Sequence, residues 1–437
     1  MAASTRSRLL VAFLLLLPVP GVEVVRQLEA QLLGPELEIA SKATGAPFHS
    51  GVAADRTGRF VVVWKTGETG DEADIVARRY DPQDIPLGSD FVVNESTTAT
   101  QDYPRVDTDG SGHFVVVWNG YGRGVGRRFD VSGAPLGGQF VLNSNSNVSR
   151  RPIAVSANDS GTMVCLWEAY GFGCGTFPCT MARRFAADGT PTELDFRVGT
   201  TWLFSSNYED DIAMTGESEF VVTDASISSY QGQYDVSDAR VKRYTAGSQQ
   251  ATGVSVDSPS NQLYSFPPAR VASNEGGSFV VAWTSFSYPA AGPADIRVQP
   301  FDRELNPLSD PIVASTDAVN HHFGPDLAVD RKGNFLVVWE SSDQDGSGVG
   351  IFGQRFAADG SRIGSEFQVN SYTTGDQRTP EVAAGNAGDF IVVWNSFGHD
   401  GSGFSLSARR VRSSIFWGGF ELGDPCGWSA VVGASCG

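Results

Sequence analysis

"GRFVVVW" spans Gly58 to Trp64, "GHFVVVW" spans Gly112 to Trp118, and "GNFLVVW" spans Gly333 to Trp339. In an extended chain successive side chains point to opposite faces. Phe60, Val62 and Trp64 therefore share one face, and Val61 and Val63 share the other. Both faces are apolar. A sheet with one side in water would alternate apolar and polar residues, so such a strand must be covered on both sides. Few folds meet that demand many times over in one chain.

The phrase ends at Trp64, Trp118, Trp167, Trp283, Trp339 and Trp394, with a degenerate copy, "FVVTD", ending at Asp224. The spacing is roughly 50–60 residues, the range of propeller blades rather than helical solenoids. Each unit reads as four strands. A short strand begins at or near a proline: "PRVDT", "PIAVS", "PARVAS", "PDLAVD" or "PEVAAG". A Gly/Asp/Asn turn such as "DRTG" or "DGSG" leads into the apolar phrase, as hairpins require. A third strand follows ("IVARRYD", "GVGRRFD", "TMARRFA", "IFGQRFA", "LSARRVR"), then a fourth ("FVVN", "FVLN", "FRVG", "FQVN"). The expected fold is all-β: a seven-bladed β-propeller of four-stranded antiparallel blades. The tryptophans are then interblade core, and a ligand-stacking ladder is the weaker reading.

Seven third strands are present, but no fourth strand follows Arg410. "LGPELEIAS", from Leu33 to Ser41, resembles "LGSDFVVN" (Leu87 to Asn94) and "IGSEFQVN" (Ile363 to Asn370). It is expected to complete the last blade and close the ring. The same alignment puts Glu36 in the slot of Asp90 and Glu366, beside Arg410.

Residues 1–30 read as a signal peptide. Arg6 and Arg8 precede the apolar run "LLVAFLLLL" (Leu9 to Leu17), which is too short to span a bilayer comfortably; cleavage is expected near residue 21 or 30. Residues 31–412 form the propeller and 413–437 a C-terminal tail. Cys174 with Cys179, and Cys426 with Cys436, are spaced for local disulfides in an oxidising compartment; Cys165, inside "TMVCLW", is a buried small hydrophobe. A secreted or cell-surface protein is expected, with no membrane span once the signal is removed.

The units resemble those of a family of exported bacterial repeat proteins. "VVWESSDQDGSGVGIFGQRFAADGSRIGSEFQVNSYTTGDQRTPEVA", from Val337 to Ala383, carries the likeness best, and it extends over roughly residues 33–412. It is close in blades one, two, six and seven and poor in blade four and the second half of blade five. The tail "IFWGGFELGDPCGWS" (Ile415 to Ser429) is similar to the Gly-Phe-Glu-x-Gly-Asp-x-x-x-Trp-Ser segment that closes many exported proteins of Gram-negative bacteria. Both likenesses imply export and, for the tail, surface display. Neither implies catalysis.

The formal net charge is -18 and no basic stripe occurs, which argues against a nucleic-acid or anionic-membrane partner. Arg79, Arg128, Arg184, Arg243, Arg355 and Arg410 recur at one place in the repeat, which suits a structural role over a sialidase-like carboxylate clamp. Arg79 and Asp90, Arg128 and Gln139, Arg184 and Asp195, and Arg355 and Glu366 all lie eleven residues apart, on the third and fourth strands of one hairpin. The sialidase Asp-box is unmatched, since Trp64 lies six residues after Gly58. Blades four and five depart most: Asp224 replaces the tryptophan and Pro300 the arginine.

Asp71, Asp74, Asp343, Asp345 and Asp400 are weak calcium candidates. Their loops offer two or three hard oxygens but no downstream bidentate acid, so solvated turns are the favoured reading and no cofactor is expected. Five scattered histidines give neither a zinc site nor a catalytic triad. No nucleophile elbow or dinucleotide fingerprint occurs in a suitable context. The expectation is a non-enzymatic binding or surface-interaction module for a protein or glycan. The alternative is a hydrolase or lyase acting on glycans.

Overall fold

This computed structural model describes residues 32–40, 49–67, 73–97, 100–120, 122–144, 150–169, 174, 179–199, 210–230, 233–247, 251–256, 263–287, 292–385, 388–399 and 403–413. The signal reading, the tail, the pair Cys426 and Cys436, and the candidates Asp71 and Asp400 lie outside them. The described residues form seven four-stranded antiparallel sheets and no helix. Blade one comprises Ser50–Ala54, Phe60–Lys65, Ile75–Tyr80 and Phe91–Val92, in that order from the inside outward. Five blades repeat the order. Every inner strand touches that of the next blade, and Gln377–Ala384 of blade seven touches Ser50–Ala54 of blade one. The ring is closed, and the fold is the expected seven-bladed propeller.

The core lies between blades, not within them. Val61 and Val63 pack with Phe114, Val116 and Trp118 of blade two. Phe60, Val62 and Trp64 pack with Ile391 and Val393 of blade seven. One strand thus serves two interfaces, as its two apolar faces require. Trp118, Trp167, Trp283, Trp339 and Trp394 are fully buried and Trp64 nearly so. The hairpin turn into the phrase is tight. Asp55 accepts hydrogen bonds from the Thr57 and Arg59 amides at 2.8 and 3.1 Å, and Gly58 takes the left-handed conformation (φ 85°) that the turn demands.

The N-terminal strand Leu32–Ala40 pairs antiparallel with Phe404–Arg412 as the outer strand of blade seven. Ile39 is 1% exposed and joins the core shared by blades seven and one. The expected ion pair is displaced by one residue. Glu36 stands opposite Arg409, not Arg410, after a register shift between Leu33 and Glu36. Its carboxylate instead accepts hydrogen bonds from the amide (2.8 Å) and hydroxyl of Ser371, at the end of blade six.

The same correction holds around the ring. Asp90 bonds Arg78 rather than Arg79, and Asp195 lies 3.6 Å from Arg183 rather than pairing with Arg184. Glu366 accepts from Thr316 and Gln344 rather than from Arg355, and Gln139 accepts from the Glu95 amide. The cause is the pleat: adjacent residues face opposite ways, and the fourth-strand partner shares a face with the first arginine of the pair. The second arginine crosses to the next blade. Arg79 donates to the Val131 carbonyl (2.8 Å), Arg184 to Ser218 and Thr245 (3.1 Å each), and Arg355 to Gly388 and Arg412 (3.1 Å each). In blade four Arg243 shares Glu219 with Arg303 of blade five. Arg410, 1% exposed, donates to Gly58 (2.9 Å) and Asp84 (2.7 Å) of blade one. Its guanidinium lies 5.5 Å from the Phe60 ring centroid.

Two outcomes follow. Deleting residues 31–41 exposes the edge at Phe404–Arg412, and size-exclusion chromatography should show aggregation that removal of residues 1–30 alone does not cause. Arg410→Ala removes the buried bonds to Gly58 and Asp84, while Arg412 still holds Asp84 at 3.1 Å, and should cost about 1.5–3 kcal/mol in denaturant unfolding. Glu36→Ala, which loses an exposed bond to Ser371 and a screened attraction to Arg409, should cost less than about 1 kcal/mol. Equal costs would contradict the interblade role of Arg410.

Candidate functional site

An inner strand has a hydrogen-bonded neighbour on one side only. Its other edge faces the channel, so its free amides and carbonyls need partners from side chains. The channel supplies them across blade junctions. Asp107 of blade two accepts from the Ala157 amide of blade three at 2.7 Å. Ser156 accepts from Met214 of blade four at 3.0 Å. Asp211 accepts from Val271 of blade five at 2.9 Å, and Asp326 from Val382 of blade seven at 2.7 Å. Arg105 donates to the Ile153 carbonyl at 2.8 Å.

These strands enclose an axial cavity of about 520 Å³. Alanine and valine fill part of its wall, and polar residues of the hairpin turns, Asp159, Glu217 and Glu275 among them, line one end. One level within the strands stands out. The residues opposite the fourth position of the apolar phrase are Gly51, Arg105, Ala154, Asp211, Arg270, Asp326 and Glu381, in blade order, Asp211 through its carbonyl, which accepts from the Thr223 amide at 3.0 Å. Five of seven are charged, with signs mixed and no regular repeat. All five line the cavity and are half-buried. Asp211 feels both Arg270 and Arg105, and Asp326 feels Arg270 and Asp211, so the ring acts as one electrostatic unit.

A recurrent kink places them. The register breaks immediately before Arg105, Asp326 and Glu381. Tyr103, Gly324 and Thr379, each preceding a proline, take left-handed φ values of 54°, 58° and 52°. Such bulges re-aim the side chains that follow. Strain at a tyrosine and a β-branched threonine marks this end of the channel. Here His49 and Lys65 bond Asp102 at 3.1 and 2.9 Å and hold its carboxyl down at about 2 against the opposing effect of burial. Arg151 lies 5.0 Å from the Tyr103 ring centroid. Ion pairs rim the opposite mouth, which the hairpin turns line. Arg56, from the hairpin turn of blade one, pairs with Asp159 of blade three and Glu275 of blade five, and Arg331 of blade six joins Glu275 at 2.6 Å.

The sequence-level metal candidates are not brought together. Asp74 accepts from Asn94 in blade one at 2.7 Å, while Asp343 and Asp345 shape a turn in blade six, Asp345 accepting from the Ser347 amide. Among the described residues no group of three or more His, Cys, Asp or Glu side chains is placed to hold a metal. Cys174 and Cys179 form a disulfide, and Cys165 is buried and free. The charged ring was missed at the sequence level although its signal was in plain view: "PRVDT", "PDLAVD" and "PEVAAG" each place the charge immediately after the proline.

No protein-family model matches the chain, and no curated protein does. Several solved structures are similar. One is a protein of unknown function from Dyadobacter fermentans, 8% identical, TM-score 0.49, with 88% of this chain and 99% of that one covered. Another is an α-L-arabinofuranosidase from Fusarium graminearum in complex with an iminosugar inhibitor, 8% identical, TM-score 0.47, with coverages of 87% and 98%. A third is the Dos1 propeller, 12% identical, TM-score 0.42, with coverages of 89% and 97%. With every score below 0.5, the strand order itself establishes the fold, and these likenesses carry no inference about chemistry.

Burial pushes several carboxyls up: Asp326 to about 6, Asp107 and Glu340 each to about 7, outweighing the amide hydrogen bonds they accept. Each folded value lies above the unfolded one, so between these values the folded chain holds more protons. Stability therefore falls as pH rises from about 5 to about 8. The melting temperature should drop over that interval. Asp107→Asn, which keeps an acceptor for the Ala157 amide, should flatten the decline. A melting temperature that rises with pH over the same interval would contradict this.

Proposed function

We propose that this propeller binds a carbohydrate in its axial cavity, at the level of Arg105, Asp211, Arg270, Asp326 and Glu381. One observation carries the reading. A wall position needed only for packing would be filled alike in every blade, yet these five differ from blade to blade and converge on one space. Pockets that take small ligands are concave and bring convergent polar groups together to fix orientation. Carboxylate oxygens that already accept an amide keep further lone pairs for sugar hydroxyls. The Cys174–Cys179 disulfide fits an oxidising compartment, in keeping with an exported protein of the repeat family that the sequence resembles. No helix among the described residues is long and apolar enough to cross a membrane.

Hydrolysis of a glycosidic bond is the second reading, favoured by the Asp211 and Asp326 pair. Two carboxyls share one cavity, and burial pushes both up, Asp326 to about 6, so that one can hold a proton beside the other. Calorimetric titration with neutral and uronic oligosaccharides tests both. Asp211→Asn and Asp326→Asn each retain an acceptor for their wall amides. Each should weaken binding at least about tenfold, the loss of one good charged hydrogen bond, without unfolding the chain. Release of reducing ends that Asp326→Asn abolishes would identify the hydrolase, and binding without release would identify the non-enzymatic module. No binding of any oligosaccharide, or binding indifferent to both variants, would overturn the proposal.

A further inference from the structure

The exchange of tryptophan for Asp224 changes the chemistry of one blade junction. Elsewhere the indole fills the space against the preceding blade, as Trp167 does against Val117 and Leu142. Between blades three and four, the smaller side chain leaves a polar niche. Asp224 is 7% exposed, Asp210 8% and Thr180 0%. Lys242 donates to Asp224 and, at 3.0 Å, to the Val198 carbonyl, which also accepts from the Tyr244 hydroxyl at 3.3 Å.

Three oxygens there are buried without a hydrogen-bond partner: Oδ2 of Asp210, Oδ1 of Asp224 and Oγ1 of Thr180. The two carboxylate oxygens face one spot. A Cβ at Gly199 would lie 2.4 Å from the Asp210 oxygen and 3.2 Å from the Asp224 oxygen. The Thr180 hydroxyl faces the Asp210 carboxyl, though it falls short of hydrogen-bond geometry. Burial and the neighbouring Asp224 charge push the Asp210 carboxyl up; once it ionises, two carboxylates and one ammonium leave a single uncompensated negative charge, which is costly in a site this dry.

We propose that Asp210, Asp224 and Thr180 bind one hard monovalent cation of the sodium type between blades three and four. The charge decides the valence. A monovalent ion brings the niche to neutrality beside Lys242, whereas calcium would leave an excess positive charge as unfavourable as the negative one it replaced. All three free donors are hard oxygens, which suit such an ion. The bound ion ties the phrase strand of blade four to the third strand of blade three, replacing the apolar contact that tryptophan makes at other junctions. This inference is independent of the carbohydrate reading.

Thermal melting of the full chain at about pH 9, where protons no longer compete for Asp210, tests it. Sodium chloride is compared with choline chloride at equal ionic strength. Above the dissociation constant, the melting temperature should rise by about 2 °C per tenfold increase in sodium. Thr180→Val, which removes only an unpartnered hydroxyl, should reduce that sodium dependence without preventing folding, and Asp224→Asn should abolish it. Sodium-23 relaxation on the unmodified chain should show a bound population that excess calcium does not displace. Equal melting in both salts, or stabilisation by calcium but not by sodium, would overturn the proposal.

Discussion

A strand that is apolar on both faces cannot rest at a surface, and the whole molecule follows from meeting that requirement seven times. Each phrase strand gives Phe60-type, Val62-type and Trp64-type side chains to one neighbour and Val61-type and Val63-type side chains to the other. The core is therefore a set of layers between blades, and no blade owns a core of its own. An open array would leave two such layers in water. Closure is a thermodynamic necessity of the phrase, and the strand Leu32–Ala40 achieves it by joining the two ends of the ring.

The second organising element is the arginine pair on the third strand. Its two members divide the work because the pleat turns them to opposite faces. The first bonds the fourth-strand acid of its own blade, as Arg78 does with Asp90, and reaches back to a carbonyl of the preceding blade, as Arg78 does to Ile39 at 2.8 Å and Arg127 to Val93 at 3.0 Å. The second reaches the next blade's carbonyls from a buried position, as Arg355 and Arg410 do. Apolar layers set how tightly blades pack, and these directional bonds set how they are aligned. The closing seam shows both: Ile39 and Leu406 in the layer, and Arg410 on Gly58 and Asp84 across it.

The repeat made the blades, their count and the closing strand legible, because a two-sided apolar phrase has few structural solutions. The pairing of charges was legible only to within one residue. Spacing along the chain cannot report which of two adjacent arginines faces the fourth-strand acid, and Glu36 stands opposite Arg409 rather than Arg410. The charged ring was not read at all. Arg105, Asp326 and Glu381 looked like ordinary polar positions of half-buried strands, and only ring closure brings them to one level of one cavity. The niche around Asp224 was visible as a departure from the repeat. Its partners Asp210, Thr180 and Gly199 come from blade three and the start of blade four, which no periodicity within a single unit connects.

Amide hydrogen exchange at the seam tests the central claim most directly. Residues 36–39 and 406–411 belong to one hydrogen-bonded sheet on this account, and the core they join is shared with blade one. Their slowest amides should exchange together, as slowly as those of the phrase strand Phe390–Phe397. Rapid exchange at 36–39 beside slow exchange at 406–411 would mean that the N-terminal strand does not close the ring.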